Sequence, residues 1–187
     1  MLFRSEGDDV LNGGGNRDSR YGGAGNDTIN GVGGSDLLSG GTGNDLLLGG
    51  GTGNTLYEEV DGTVAVSTNS QGVVTISGLG NDIVRGEIRF VQLQGGDGDD
   101  VLDARQFAGR ATLNGGAGND TLLGGALADV LRGEAGNDDL QGNAGRDTLD
   151  GGNNSDRLDG GANHADEIRY DLLDTVIADS LDLLTLI

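Results

Sequence analysis

Cysteine, proline, tryptophan and lysine are all absent from this chain of 187 residues. Without cysteine the chain can form no disulfide and perform no thiol chemistry. Aromatic residues make up only 3% of the sequence, which is too few for the core of an ordinary globular domain. No apolar run approaches the ~20 residues of a membrane-spanning helix, and no apolar signal-peptide region follows Met1. A metal would suit this composition as a replacement for disulfides.

Positive charge is also scarce, because 11 arginines face 31 acidic residues and give a formal net charge of −20. Such a balance opposes binding to nucleic acid or to an anionic membrane surface. It opposes compaction of the chain as well, so folding is expected to depend on a neutralising cation. The motifs of zinc proteases, serine hydrolases and phosphate-binding loops are missing.

Glycine is abundant, with 39 residues, and it recurs in a nine-residue unit. In each unit a glycine-rich turn leads to an aspartate, and an aliphatic residue follows two positions later. The units are clearest in the second half of the chain: 115–123, 124–132, 133–141, 142–150 and 151–159. A fixed period predicts that each unit buries its apolar face only by stacking on its neighbours. One inward aliphatic per unit indicates a short strand after each turn, two units per coil, and coils about 4.8 Å apart.

Aspartates eighteen residues apart therefore lie on the same edge of the stack, where they repel each other unless a cation lies between them. Oxygen ligands in a flexible turn favour Ca²⁺ over Mg²⁺, and zinc would require histidine or cysteine in the turns. Aspartate could instead serve only as a turn former, but asparagine or serine would do that equally well. The candidate ligands are Asp9, Asp18, Asp27, Asp36, Asp45, Asp82, Asp100, Asp120, Asp129, Asp138, Asp147, Asp156 and Asp166.

The pattern resembles the RTX, or haemolysin-type, calcium-binding nonapeptide repeat. Four turns match Gly-Gly-x-Gly-x-Asp in full, at Gly22–Asp27, Gly40–Asp45, Gly95–Asp100 and Gly115–Asp120, and six more miss one glycine. The resemblance covers about two-thirds of the chain. It implies a right-handed parallel β-roll with Ca²⁺ between the turns, in a secreted, extracellular bacterial protein. It also implies export by type I secretion machinery, with which the acidic, apolar tail is compatible.

We therefore predict an all-β, right-handed parallel β-roll solenoid with a β-hairpin insertion and a short C-terminal cap. Its parts are a non-native or disordered start (1–5), a first repeat block (6–56), a hairpin and degenerate coil (57–94), a second repeat block (95–169) and a cap or tail (170–187). The blocks form either one solenoid or two rolls separated by the hairpin. Leu2–Ser5 fits no repeat; it matches what a common sequencing adapter would encode, which indicates a truncated reading frame, or it is an ordinary short N-terminus.

Several positions depart from the repeat. Arg20 stands where an inward aliphatic belongs, so Asp18 is a weaker candidate, and Asn54 replaces an aspartate without its charge. Alternation at 63–67 and 73–77 predicts the hairpin. Asp82 lies eighteen residues before Asp100, so the two could share an edge.

The spacing of leucines after Asp171 favours a capping amphipathic helix, with a strand as the alternative. The prediction for function is a calcium-binding module without catalysis, which is part of a larger protein. His164, the only histidine, lies in a repeat turn and is a poor candidate for a catalytic triad.

Two alternatives remain. One is an accessory module of a truncated secreted hydrolase or polysaccharide-modifying enzyme. The other is an adhesin or ice-binding surface that uses Thr42-Gly43-Asn44 and Thr52-Gly53-Asn54.

Overall fold

The computed structural model describes residues 5–50, 54–59, 63–68, 74–77, 81–85, 88–162, 164–179 and 182–187, with side chains described outside Ser5 and 57–87. In these stretches the chain forms strands and turns, and none of them is helical. Nothing in the described residues is therefore a helix that could cross a membrane. The predicted start of the chain lies mostly outside the described residues, because only Ser5 of residues 1–5 is included.

Twenty-one strands are found in the described residues, and they form two sheets. Sheet A has ten strands in the order β1 (Ser5–Glu6), β3 (Ser19–Ala24), β5 (Leu37–Thr42), β7 (Asn54–Glu59), β11 (Ile88–Asp97), β13 (Arg110–Ala117), β15 (Val130–Ala135), β17 (Thr148–Asn153), β19 (Glu167–Tyr170) and β21 (Leu183–Leu186). Sheet B has eleven, in the order β2 (Val10–Gly14), β4 (Thr28–Val32), β6 (Leu46–Leu48), β10 (Asn81–Arg85), β9 (Val74–Ser77), β8 (Thr63–Thr68), β12 (Val101–Gln106), β14 (Thr121–Leu123), β16 (Asp139–Gln141), β18 (Arg157–Asp159) and β20 (Thr175–Ile177).

Outside the region of β8–β10 the chain alternates between the two sheets, and neighbouring strands pair in parallel. Strand β13 pairs with β15 so that Leu113 lies beside Leu131, eighteen residues later. The same register places Leu122 beside Leu140 in sheet B. This arrangement confirms the all-β parallel β-solenoid and the coil of two repeat units.

The core lies between the two sheets and is built from one aliphatic side chain per strand. Because side chains alternate along a strand, only the middle residue of each short strand points inward. The fully buried residues of this ladder are Ile29, Leu38, Leu47, Leu56, Leu93, Leu102, Leu113, Leu122, Leu131, Leu140, Leu149, Leu158 and Ile168. Burial of this ladder provides the hydrophobic stabilisation that holds the coils in register.

The predicted hairpin is confirmed, because β8 and β9 pair antiparallel with Ala65 opposite Ser77. It is built into sheet B, since β8 pairs with β12 and β10 pairs with β6. Both sheets continue through this region, so the two repeat blocks belong to one stack. Asp82, in β10, and Asp100, just before β12, belong to the same sheet but are not adjacent, because β9 and β8 lie between β10 and β12, and β10 aligns Asp82 with Asp45.

The predicted C-terminal cap is confirmed, but it consists of strands, so the helix favoured for it is wrong and the strand alternative is right. Residues 175–177 form β20 and residues 183–186 form β21, which add one strand to each sheet. The inward residue Val176 packs against the core, and Leu184 pairs with Ile168. The leucines of the tail lie in short strands and in the turns between them. Their spacing of three and four residues therefore resembles one face of a helix although no helix forms.

Candidate metal centre

The repeat aspartates lie in two rows. Each row follows the turns that precede the strands of one sheet. We call them row A and row B after the sheets. Row A contains Asp18, Asp36, Asp129, Asp147, Asp166 and Asp182. Row B contains Asp9, Asp27, Asp45, Asp100, Asp120, Asp138, Asp156 and Asp174. Asp174 and Asp182 extend the rows into the tail, and sequence reasoning missed them because their turns contain no glycine.

In most row members one carboxylate oxygen has a structural task. The main-chain N–H of Asp120 donates to Oδ1 of Asp138 at 2.8 Å, and that of Asp138 donates to Oδ1 of Asp156 at 2.8 Å. The same bond joins Asp129 to Asp147 in row A. Oδ1 therefore caps the backbone of the preceding coil. Asparagine can do this too, because the N–H of Asp36 donates to Oδ1 of Asn54 at 2.9 Å.

The second carboxylate oxygen is different, because in most row members it is buried without a hydrogen-bond partner. Oδ2 has no partner in Asp9, Asp27, Asp36, Asp120, Asp138, Asp147, Asp156 and Asp166. All of these residues except Asp9 are no more than 3% exposed. A buried carboxylate oxygen with no donor is unfavourable unless it is protonated or meets a cation. Asparagine could not supply this charge. The role of turn former therefore explains only Oδ1 and leaves Oδ2 unexplained.

Backbone carbonyl oxygens approach the same space from the next coil. A Cβ added to Gly142 would lie 2.6 Å from Oδ2 of Asp147 and 2.8 Å from the carbonyl oxygen of Gly160. The equivalent atom on Gly22 would collide with Oδ2 of Asp27 and with the carbonyl oxygen of Gly40. The first glycine of the motif thus keeps an oxygen-lined space open between two turns.

Burial raises the pKa of several of these carboxyl groups. It raises the pKa of Asp138 and Asp156 to about 6 and that of Asp147 to about 7, and neighbouring carboxylates add to the shift. The pKa values of Asp120 and Asp166 are raised for the same reason. The rows therefore hold negative charge only with difficulty in the absence of a cation.

The donor set is made of few charges and many carbonyls. No group of three His, Cys, Asp or Glu side chains converges on one point among the described residues. A cation between two turns would therefore meet one or two carboxylates together with backbone carbonyl oxygens. Ca²⁺ tolerates such an irregular set of oxygens, whereas Mg²⁺ requires near-octahedral geometry and zinc prefers His or Cys. The residues present fit calcium.

Two candidate positions among the described side chains do not share these features. Asp18 is half-buried, its Oδ2 accepts the N–H of Gly14 at 2.7 Å, and its Oδ1 lies 3.2 Å from the guanidinium of Arg20. Asp129 uses both oxygens, accepting from Ala111 and Gly125 at 2.6 Å each. A third candidate, Asp82, lies on β10 in register with Asp45 of row B, and its side chain is outside those that the structure describes.

The alternative functions would depend on His164 and on the Thr-Asn positions. Nδ1 of His164 is buried and has no hydrogen-bond partner, and the residue lies close enough to Asp166 to offset part of the rise in the pKa of that carboxyl group. Of the four residues in the proposed outward Thr-Asn pattern, Asn54 is fully buried, whereas Thr42 and Asn44 are exposed. Thr52 and Gly53 lie outside the described residues.

The profile of the RTX calcium-binding nonapeptide repeat matches residues 5–29, 21–56, 76–110, 106–140 and 132–164. Together these segments span about three quarters of the chain. The chain belongs to the RTX calcium-binding nonapeptide repeat family. Membership implies calcium as the cation of the rows, in agreement with the donor set. No curated protein matches the chain.

Proposed function

We propose that this chain is a calcium-binding β-roll module of a secreted bacterial RTX protein, and that it folds when calcium binds outside the cell. The observation that carries the proposal is the double row of buried Oδ2 atoms without donors. The proposed ligands are the row aspartates with an unpartnered Oδ2, together with Asp45 and Asp100, which occupy equivalent positions.

Calcium would stabilise the roll by removing an electrostatic penalty. The net charge of −20 and the buried carboxylates both oppose the folded state when no cation is present. A ligand that binds only the folded chain stabilises it in proportion to the logarithm of its concentration. Sites with dissociation constants of about 10⁻⁴–10⁻³ M, as in other extracellular modules, would remain empty in the cytosol and fill outside. The chain would then be exported unfolded and would fold afterwards.

A calcium titration followed by circular dichroism tests the folding step. We expect a spectrum without regular structure in a chelator, a β spectrum with saturating Ca²⁺, and a midpoint at about 10⁻⁴–10⁻³ M. Mg²⁺ at equal concentration serves as the control and should be much less effective. A chelated sample as folded as the calcium-loaded one would overturn the proposal.

Export by type I machinery and an extracellular location belong to the same proposal, supported by the family and by the acidic, apolar tail from Asp171 to Ile187. Expression beside a type I exporter tests them: the chain should accumulate in the medium only when the exporter is active. Any activity would belong to the larger protein of which this module would be a part. The module itself would contribute folding and calcium binding.

A further inference from the structure

Twelve of the fourteen turns that carry the row aspartates have one of two conformations. In the first, which we call the open turn, the residues four and two positions before the aspartate both have positive φ. Gly116 and Gly118, before Asp120, have φ of 112° and 139°, and Asn143 and Gly145, before Asp147, have 71° and 132°. The same holds in the turns that end at Asp27, Asp36, Asp45, Asp100, Asp138 and Asp156.

In the second conformation, the closed turn, no described residue between the strand and the aspartate has positive φ, and a main-chain N–H of the turn itself donates to Oδ2. The donor is Gly14 for Asp18 (2.7 Å), Gly125 for Asp129 (2.6 Å), Asp171 for Asp174 (2.7 Å) and Asp179 for Asp182 (2.8 Å). Open and closed turns therefore differ in what meets the second carboxylate oxygen.

Local sequence explains the difference at Asp129. Its turn reads Gly-Gly-Ala-Leu-Ala-Asp, so Leu127 stands where the open turns place glycine or asparagine. A bulky side chain strongly disfavours positive φ, and without that conformation the N–H of Gly125 stays directed at Oδ2. Tyr170 and Leu172 occupy the two equivalent positions before Asp174. Leu127 is 44% exposed, so it is not held there by the core.

We propose that calcium occupies the open turns, and that in the closed turns at Asp18, Asp129, Asp174 and Asp182 a backbone N–H takes the place of the metal. The inference rests on the proposed function and adds to it which carboxylates bind and which do not. In row A, Asp129 precedes Asp147 by one coil, and its Oδ1 accepts from Ala111, a position with no carboxylate. This stretch of the row would be closed by hydrogen bonds and apolar packing from Phe107 and Ala111, both 3% exposed.

The stoichiometry of calcium binding separates the two kinds of turn. Equilibrium dialysis with ⁴⁵Ca²⁺ on the full chain would compare Asp129→Asn with the matched variant Asp147→Asn, one coil away in the same row. We expect Asp147→Asn to lose at least one bound ion and Asp129→Asn to lose none. Equal losses from the two variants would overturn the inference. If the unsubstituted chain bound no calcium, the proposed function itself would fail.

A gain of binding provides a second test that does not depend on a destabilised variant. Leu127→Gly gives the turn the pattern Gly-Gly-Ala-Gly-Ala-Asp and permits positive φ at residue 127. The carbonyl oxygen of Gly142 already approaches Gly124 from the next coil, at 2.7 Å from the position of an added Cβ. We expect one additional bound Ca²⁺, with the control Leu127→Ala unchanged. A glycine variant with unchanged stoichiometry would count against the inference.

Discussion

The main-chain N–H of Asp120 donates to Oδ1 of Asp138 at 2.8 Å, while Oδ2 of the same Asp138 has no donor. One carboxylate thus has two separable tasks. Oδ1 completes the backbone of the preceding coil, and Oδ2 supplies charge to the space between the turns.

Substitutions of Asp138 should separate these tasks. Asp138→Asn keeps an acceptor for Asp120, as Asn54 does for Asp36, but removes the charge. We expect weaker calcium binding with an apo form that is at least as folded as the unsubstituted chain. Asp138→Ala also leaves a buried N–H without an acceptor, which costs about 1–3 kcal/mol. Calcium titration and chemical denaturation of both variants provide the comparison; equal stability of the two calcium-loaded variants would contradict the assignment of Oδ1.

The first glycine of the motif should be sensitive to a single methyl group. Gly22→Ala would force a Cβ against Oδ2 of Asp27 and the carbonyl oxygen of Gly40. We expect a loss of about 1–3 kcal/mol, typical of overpacking, and weaker calcium binding. Gly15→Ala is the control, because nothing lies within 4 Å of its Cβ and its φ is not positive. Thermal melts in saturating calcium should show a large shift for residue 22 and almost none for residue 15.

Val32 should be a site of stored strain. It adopts a φ of 75° in an open turn, at a position where most other open turns have glycine, and a β-branched residue rarely does so. Val32→Gly should therefore stabilise the calcium-loaded roll by about 1 kcal/mol. Val10→Gly, at an exposed strand position with ordinary φ, should instead destabilise by roughly 0.5–1 kcal/mol. Urea denaturation midpoints of the two variants should move in opposite directions.

Stability of the calcium-free chain should fall as the pH rises. The folded-state pKa values of Asp138 and Asp156, about 6, and of Asp147, about 7, lie above the ordinary 3.8. The folded chain therefore binds more protons than the unfolded chain, and this contribution is full below the ordinary value and is lost as pH passes 6 to 7. With a chelator present, the β spectrum should be stronger at pH 4–5 than at pH 7.5. Calcium affinity should rise over the same interval, because protons compete for the same oxygens. An apo chain equally disordered at both pH values would contradict this account.

Much of the fold could be predicted from the repeat, because each unit has glycine and aspartate at fixed positions in its turn and an aliphatic residue at a fixed position in its strand. The leucine ladder and the two rows follow from a period of nine. The hairpin was also visible from its alternation. Its place inside sheet B was not, since equal spacing between Asp82 and Asp100 cannot show that two strands lie between them.

The tail and the closed turns show the limits of the motif. Asp174 follows Asp166 by eight residues, and Asp182 follows Asp174 by eight. Their turns lack glycine, so the motif was not recognised and the local spacing of leucines resembled that of a helix. At Asp18 the turn contains three consecutive glycines and is nevertheless closed. Whether a turn is open or closed depends on where its backbone N–H groups point, and the glycine content of the turn alone does not determine that direction.

The direction of the Oδ1 bonds gives the stack a polarity. Each coil is capped by the carboxylate of the coil that follows it in the chain. Trimming from the amino end would free carboxylate oxygens, which water solvates readily. Trimming from the carboxyl end would strip acceptors from main-chain amides that lie inside the rows. Shortened versions should therefore tolerate deletion from the front far better than deletion from the back.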